Sequence, residues 1–570
     1  MARVGILTGD ASIKRGDSTD WQAAAVNAPL MTGDEISVGA GSRAELQLDA
    51  AHFLRVSGDT DLRLADLENG HYQVQVSHGT VTWRVLRASQ AQAEIDTPLV
   101  GVHPGALSTV RVEVEADGQS HITVRHGEAD VSTQKGSEKV TENSTMDVRG
   151  VVTDPEFQVV VAGARDDFDG WSDQRDAYLQ RAQAPRYTPP EVTGVEDLDA
   201  YGHWVFDPAY GWVWAPTVAP TWAPYQNGQW VWEDYYGWTW VDYAPWGWAP
   251  FHYGYWYNRV GYGWAWFPGP RVGRAFWRPA MVGFFGFGGV GVGFGFGNIG
   301  WIPLAPYEAF RPWYGRGGFV GVNVVGNANI LGTFRNASVA GGVTAVTAAD
   351  FQRSNFRSTV AVDRATLARA SLVRGSVPVT PTSQNLRFSN RAATVQGTRA
   401  AAGVSNTRFY GNAGASSSAR TAGFQRTPFT QQQAAVRSAV SAPGGMQASA
   451  AVQAAKPGQT VGATNRAAGP AGGWQRFEGS QPGNPAGGGA APVNRYSNSG
   501  APANGSANSA PRQFQVSPSI IRQRSDTTPA VQAAPARQAP AAPAGGYGGG
   551  ASAGRSAAPS RSSSHGGGKR

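Results

Sequence analysis

Over the first 150 residues, apolar and polar positions alternate in short runs. In Glu45-Leu46-Gln47-Leu48 the two leucines share one face and the two polar residues the other. Phe53-Leu54-Arg55-Val56, Asp61-Leu62-Arg63-Leu64 and Tyr72-Gln73-Val74-Gln75-Val76 read the same way. Gly33-Asp34, Gly58-Asp59, Asn69-Gly70, His78-Gly79, Asp117-Gly118 and His126-Gly127 punctuate the runs as turns. The pattern predicts an all-β sandwich or roll over 1–150. From 164 to 184 the spacing lengthens. Phe168, Trp171, Ala177 and Tyr178 recur at roughly helical intervals. Asp166, Asp167 and Asp169 crowd the start, where the helix dipole favours anions, and Arg175 and Arg181 follow. Pro185, Pro189 and Pro190 then end it, so one connecting helix is expected.

Alternation returns between 202 and 270 in a form that repeats every 26 residues. The units are Gly202, Trp204, Tyr210, Gly211, Trp212, Trp214; then Gly228, Trp230, Tyr236, Gly237, Trp238, Trp240; then Gly254, Trp256, Tyr262, Gly263, Trp264, Trp266. Such a period marks supersecondary units that bury their apolar faces together. Each unit predicts one β-hairpin, turning near Asp207-Pro208 and Glu233-Asp234 in the first two. Residues two apart share a face, so Trp212, Trp238 and Trp264 should form one packed class and Trp214, Trp240 and Trp266 another. Val213, Thr239 and Ala265 are then expected on an outer face. The nine template tryptophans form either the core of the hairpins, which is preferred, or an aromatic ladder for stacking on a partner.

Residues 281–304 are uncharged, yet nine of the twenty from Met281 to Gly300 are Gly. Glycine costs about 1 kcal/mol per helical site, which opposes a membrane helix. A flat Gly-rich strand or hairpin within a 195–315 repeat domain is expected instead, its glycines admitting aromatic rings close to the backbone. Peripheral contact with a membrane surface is its other expected use. Residues 316–394 read as a partly ordered extension, with a strand at 320–325 and a short helix at 363–369. From 395 to 570 the chain is Ala, Gly, Ser, Pro and Gln with scattered Arg, a composition that predicts disorder.

Charge sharpens this division. Residues 1–350 carry 24 Lys and Arg against 38 Asp and Glu, whereas residues 351–570 carry 24 against 3. The net +7 of the chain hides an acidic half and a basic tail. Cations this diffuse, without a basic–aromatic module, do not predict a nucleic-acid partner. An anionic envelope polymer and the chain's own acidic half are equally suited. The absence of Cys excludes disulfides and thiolate chemistry.

Motifs of known chemistry are weak. Gly286-Phe287-Gly288-Gly289-Val290-Gly291 fits a dinucleotide pattern literally, but glycines rather than a helix follow. Asp167, Asp169 and Asp173 lack the spacing of a calcium loop, no two His stand at metal-binding helical spacing, and no nucleophile elbow occurs. No enzyme activity, cofactor or metal site is expected.

Several segments taken together carry a resemblance: Gly9-Asp10-Ala11, Leu30-Met31-Thr32-Gly33-Asp34-Glu35-Ile36, Ser42-Arg43-Ala44-Glu45-Leu46-Gln47-Leu48, Ser77-His78-Gly79-Thr80-Val81, Asp96-Thr97-Pro98 and Val124 to Val131. In order and spacing they resemble a FecR-type periplasmic domain. His103-Pro104-Gly105 stands where such domains commonly carry Gly-Thr. No membrane helix or sigma-binding segment precedes the domain here, so the resemblance does not by itself bring the signalling role with it. The repeat, continued by Trp301-Ile302-Pro303-Leu304-Ala305-Pro306-Tyr307-Glu308 and Trp313-Tyr314, resembles a Trp-rich family that follows FecR-like domains in exported bacterial proteins. The resemblance implies a periplasmic or envelope location, with an export signal expected upstream of Met1. The expected function is a non-enzymatic envelope scaffold contacting glycan or protein; the alternative is a FecR-type sensor that relays an envelope signal to a partner.

Overall fold

One 15-residue strand, His71–Val85, organises the N-terminal domain of the computed structural model. Its first half pairs with Thr60–Glu68 and, in parallel, with Gln92–Asp96 in one sheet. Its second half pairs with His52–Val56 and Thr109–Val114 in the other. The chain bends between them at Gly79, where φ is +95° and an added Cβ would lie 2.4 Å from Thr60 Oγ1. Only glycine fits so close an approach. His78-Gly79, expected as a turn, is therefore a corner within a strand. Leucines and valines from both sheets, with Trp83, fill the space between them. The structure describes residues 1–68, 70–272, 274–289, 296–314, 324–394, 407–410, 426–441 and 475–476.

The β domain continues past the expected boundary at 150. Ser144–Val151 turns back through Asp154–Val161 as an antiparallel pair. The connecting helix follows at Asp167–Arg181, capped by Asp166, whose side chain accepts from Asp169 N–H while Asp169 caps back. Its surface is largely polar, and charge seats it on the β domain. Arg55 donates to Ser172 O at 2.7 Å, and Arg175 bridges Glu45 and Asp197 at 3.0 Å each.

Each 26-residue unit is one antiparallel hairpin: Gly202–Asp207 with Gly211–Pro216, Gly228–Glu233 with Gly237–Asp242, and Tyr255–Arg259 with Gly263–Phe267. They do not stack in chain order. The first and third share a sheet through Trp214 opposite Trp266, and the second stands as its own two-stranded sheet.

The Gly-rich segment is a hairpin, Val282–Phe287 with Asn298–Pro303, inside a five-stranded antiparallel sheet. The extension supplies the other strands, Val324–Val325, Thr344–Thr347 and Ser371–Val373. Rings do press on its glycines: a Cβ at Gly300 would lie 2.2 Å from the Phe285 ring, and one at Gly283 would lie 2.3 Å from Phe334. The expected helix near 363–369 forms at Arg364–Arg369, capped by Asp363. Among the described residues no helix is long and apolar enough to cross a membrane.

Most of 395–570 lies outside the described residues, as do 320–323 of the expected strand. Several described stretches depart from the expectation of disorder: Gln475–Arg476 pairs as a short strand with Asp154–Val161, and Phe409 is buried. Phe429–Ser441 is a helix, and its Val436 is buried in the aromatic core. Arg426, just before it, is buried as well. The helix acquires through packing a stability that its composition does not advertise.

Candidate functional site

The geometry of the hairpins decodes the repeated template. The second Trp of each Trp-x-Trp faces the Trp of Gly-x-Trp across the hairpin: Trp204 opposite Trp214, Trp230 opposite Trp240, Trp256 opposite Trp266. The opening glycine is the shelf under that second indole. A Cβ at Gly202, Gly228 or Gly254 would meet Trp214, Trp240 or Trp266 at 2.6, 2.6 and 2.7 Å. The glycine after Tyr takes positive φ, +83°, +62° and +72° at Gly211, Gly237 and Gly263, and so closes each turn.

Surroundings, however, divide the tryptophans. Trp214, Trp230, Trp240, Trp256 and Trp266 are fully buried, and Trp238 and Trp264 nearly so. Several indole N–H groups are paired: Trp214 with Leu198 O (3.2 Å), Trp256 with Pro250 O (2.7 Å) and Trp266 with Tyr253 O (2.8 Å). These residues are core. Trp204 is half-buried. Trp212 is 43% exposed, beside Phe206 at 60%. The expectation that Trp212 belongs with Trp238 and Trp264 therefore fails, because among the described residues no neighbouring element covers the outer end of the first hairpin. Tyr187 completes a small aromatic surface there, its ring centroid 4.8 Å from Trp204 and 4.7 Å from Trp212.

The assignment of Val213, Thr239 and Ala265 to an outer face is also corrected, since all three are buried. In the middle hairpin both faces are covered. Trp230, Trp232, Trp238 and Trp240 enter the aromatic core. Val231 and Val241, on the opposite face, join the core of the β domain.

At that junction lies a buried charge cluster. Arg15 grips Asp17 with two bonds of 3.0 and 3.1 Å and donates to Glu233 at 2.6 Å. Arg426 reaches the same carboxylates, 3.3 Å from both Asp17 and Glu233, and also bonds Asp34. Three carboxyls thus face two guanidiniums. Full ionisation would leave a buried excess negative charge, which a low-dielectric site resists. Burial pushes Glu233 up to about 8 despite both arginines, and raises Asp34 as well. Asp17 is also desolvated, but Arg15 and Arg426 hold it well below the usual carboxylate range.

Sequence reasoning missed this cluster. Gly33-Asp34 and Glu233-Asp234 read as ordinary turns, and Arg426 as one scattered cation among many. The opposed charge of the two halves was the available signal. Among the described residues no group of three His, Asp or Glu side chains is placed to hold a metal ion.

Comparison with known proteins falls along the same division. Residues 195–308 match a family described as of unknown function, DUF6600. Two crystal structures of a "putative anti-sigma factor" from Parabacteroides distasonis align with part of the chain. One is 19% identical with a TM-score of 0.21, covering 27% of this chain and 68% of that one. The other is 20% identical with a TM-score of 0.21, covering 29% and 72%. No curated protein sequence matches the chain. Residues 34–130 match the FecR protein family, so the chain carries a FecR domain followed by a DUF6600 domain.

Proposed function

We propose that this chain is a non-enzymatic binding protein of the bacterial cell envelope, whose first Trp hairpin contacts envelope glycan or a protein partner. One observation carries the reading. Phe206 and Trp212 are exposed, whereas Trp232 and Trp238, at the same template positions, are buried. Large aromatic faces left in solvent mark contact surfaces, and flat rings suit stacking on sugars. The FecR match supports the envelope location, and the lack of catalytic motifs supports a binding role.

Exchange of both Phe206 and Trp212 for Ala in the full chain should leave the unfolding midpoint nearly unchanged. Co-sedimentation with purified peptidoglycan sacculi should fall at least about tenfold. Unaltered sedimentation removes the glycan contact, and photo-crosslinking from position 206 to an envelope protein would identify a protein partner instead.

A regulatory relay of the FecR type is the second reading. It is favoured by the FecR match and by Val231 and Val241 sitting in the core of the β domain. Movement of the middle hairpin would disturb the FecR sheets. Deleting the gene should then change transcription of a defined gene set, and an unchanged transcriptome would exclude the relay.

A further inference from the structure

Around Arg426 the contacts are those of a ligand in a site. Its side chain is 2% exposed and touches three carboxyls, Asp17 and Asp34 from the FecR-domain half and Glu233 from the middle hairpin. The residues that follow are held just as specifically. Thr427 N–H donates to the Asp234 carboxylate at 2.8 Å, and Phe429 N–H donates to Asp17 O at 3.0 Å. Gln432 donates to the Asp17 carboxylate at 3.1 Å and accepts from Trp232 Nε1 at 2.7 Å. One turn further on, Val436 enters the aromatic core. The short segment thus offers a guanidinium, a fixed backbone stretch and an apolar helix face in sequence, as helix-in-groove recognition does.

The recess belongs to the rest of the chain. Arg15 occupies one side and bonds Asp17 and Glu233, so without Arg426 the cluster holds three carboxyls and one cation. A planar guanidinium fits the remainder better than an ammonium would, because it reaches several carboxylates at fixed angles. Chain connectivity supplies the segment at high effective concentration. Residues 351–570, with 24 cations against 3 anions, are matched in charge to the acidic half.

We propose that Asp17, Asp34, Glu233 and Asp234 line a peptide-binding site at the junction of the two domains, specific for an arginine followed by a short amphipathic helix. Arg426 to Ser441 is the ligand it holds in cis, and a second copy of the same segment is the ligand it takes in trans. Site and ligand are separable, so one molecule's segment can replace another's.

The test uses the full-length chain carrying Arg426→Ala and a fluorescein-labelled synthetic peptide of residues 424–442. The variant should bind the peptide with an affinity at least about tenfold higher than the wild-type chain, whose site is filled. Adding Asp17→Asn should abolish that gain, and a peptide with Lys in place of Arg426 should bind more weakly. No binding to a variant that keeps its near-ultraviolet circular dichroism would overturn the proposal. A second measurement covers loss of folding. A protease site placed within 411–425 of the otherwise native chain is cut, and excess unlabelled peptide is added. Displacement of the cleaved C-terminal fragment on size exclusion supports the proposal. A fragment that cannot be exchanged, or a core that unfolds on cutting, shows the segment to be an integral part of the fold and overturns it.

Discussion

The first and middle Trp hairpins share a template, a register and a turn, yet one ends in solvent and the other has no free face. Trp212 and Trp238 occupy the same position 26 residues apart, but one is 43% exposed and the other 1%. The difference lies outside the hairpins. The β domain and the aromatic core enclose the middle unit, whereas Trp212 meets the rings of Tyr187 and of its own hairpin's Phe206 and stays half in solvent. A repeated sequence here specifies the shape of a unit. What each unit buries is set by its neighbours, and that separates the residues that build the unit from those free to serve elsewhere.

The most direct way to break the comparison is to truncate the equivalent indoles. Trp238→Ala should cost about 3–5 kcal/mol, the range for emptying a buried aromatic site. Trp212→Ala should cost less than about 1 kcal/mol, as surface changes do. Urea denaturation of the full chain measures both, and equal losses would end the distinction.

The shelf glycines sharpen it from the other side, because their geometry does not differ between units. Gly202→Ala and Gly228→Ala each drive a methyl into an indole and should each cost about 1–3 kcal/mol by overpacking. Their midpoints should shift together, while those of the Trp pair diverge. A harmless Gly202→Ala would mean that the first hairpin is loose throughout.

The middle hairpin should also respond to pH. Glu233 is raised from 4.5 to about 8 in the native protein, so the unfolded chain releases this proton first as pH rises. Its contribution is complete below about pH 4.5 and is lost as pH climbs through 8. Asp242, raised to about 7 by burial, acts in the same direction. Stability measured by chemical denaturation should decline between pH 5 and 9. Glu233→Gln should flatten that decline, and an unchanged slope would show that Glu233 is ionised throughout.

Much of this architecture was legible in local spacing. Asp166 and its neighbours announced the helix, Trp-x-Trp the strands, and Tyr-Gly the turns, because each property depends on residues a few positions apart. Alternation shows which side chains share a face, but not what will cover that face. Val213, Thr239 and Ala265 looked like an outer surface for that reason. Arg426 was invisible because its partners Glu233 and Asp34 lie 193 and 392 positions away. The exposed Phe206 and Trp212 could not be told from their buried equivalents by any local rule.

The strand His71–Val85 bears on how the FecR domain comes apart. Val74 and Val76 lie in one sheet, Val81 and Trp83 in the other, and a single backbone connects them across Gly79. Neither sheet can detach without fraying the strand that anchors its partner. The two should open as one cooperative foldon. In native-state hydrogen exchange, the amides on both sides of the bend should share one opening free energy, and a protease should find no half-unfolded domain to cut.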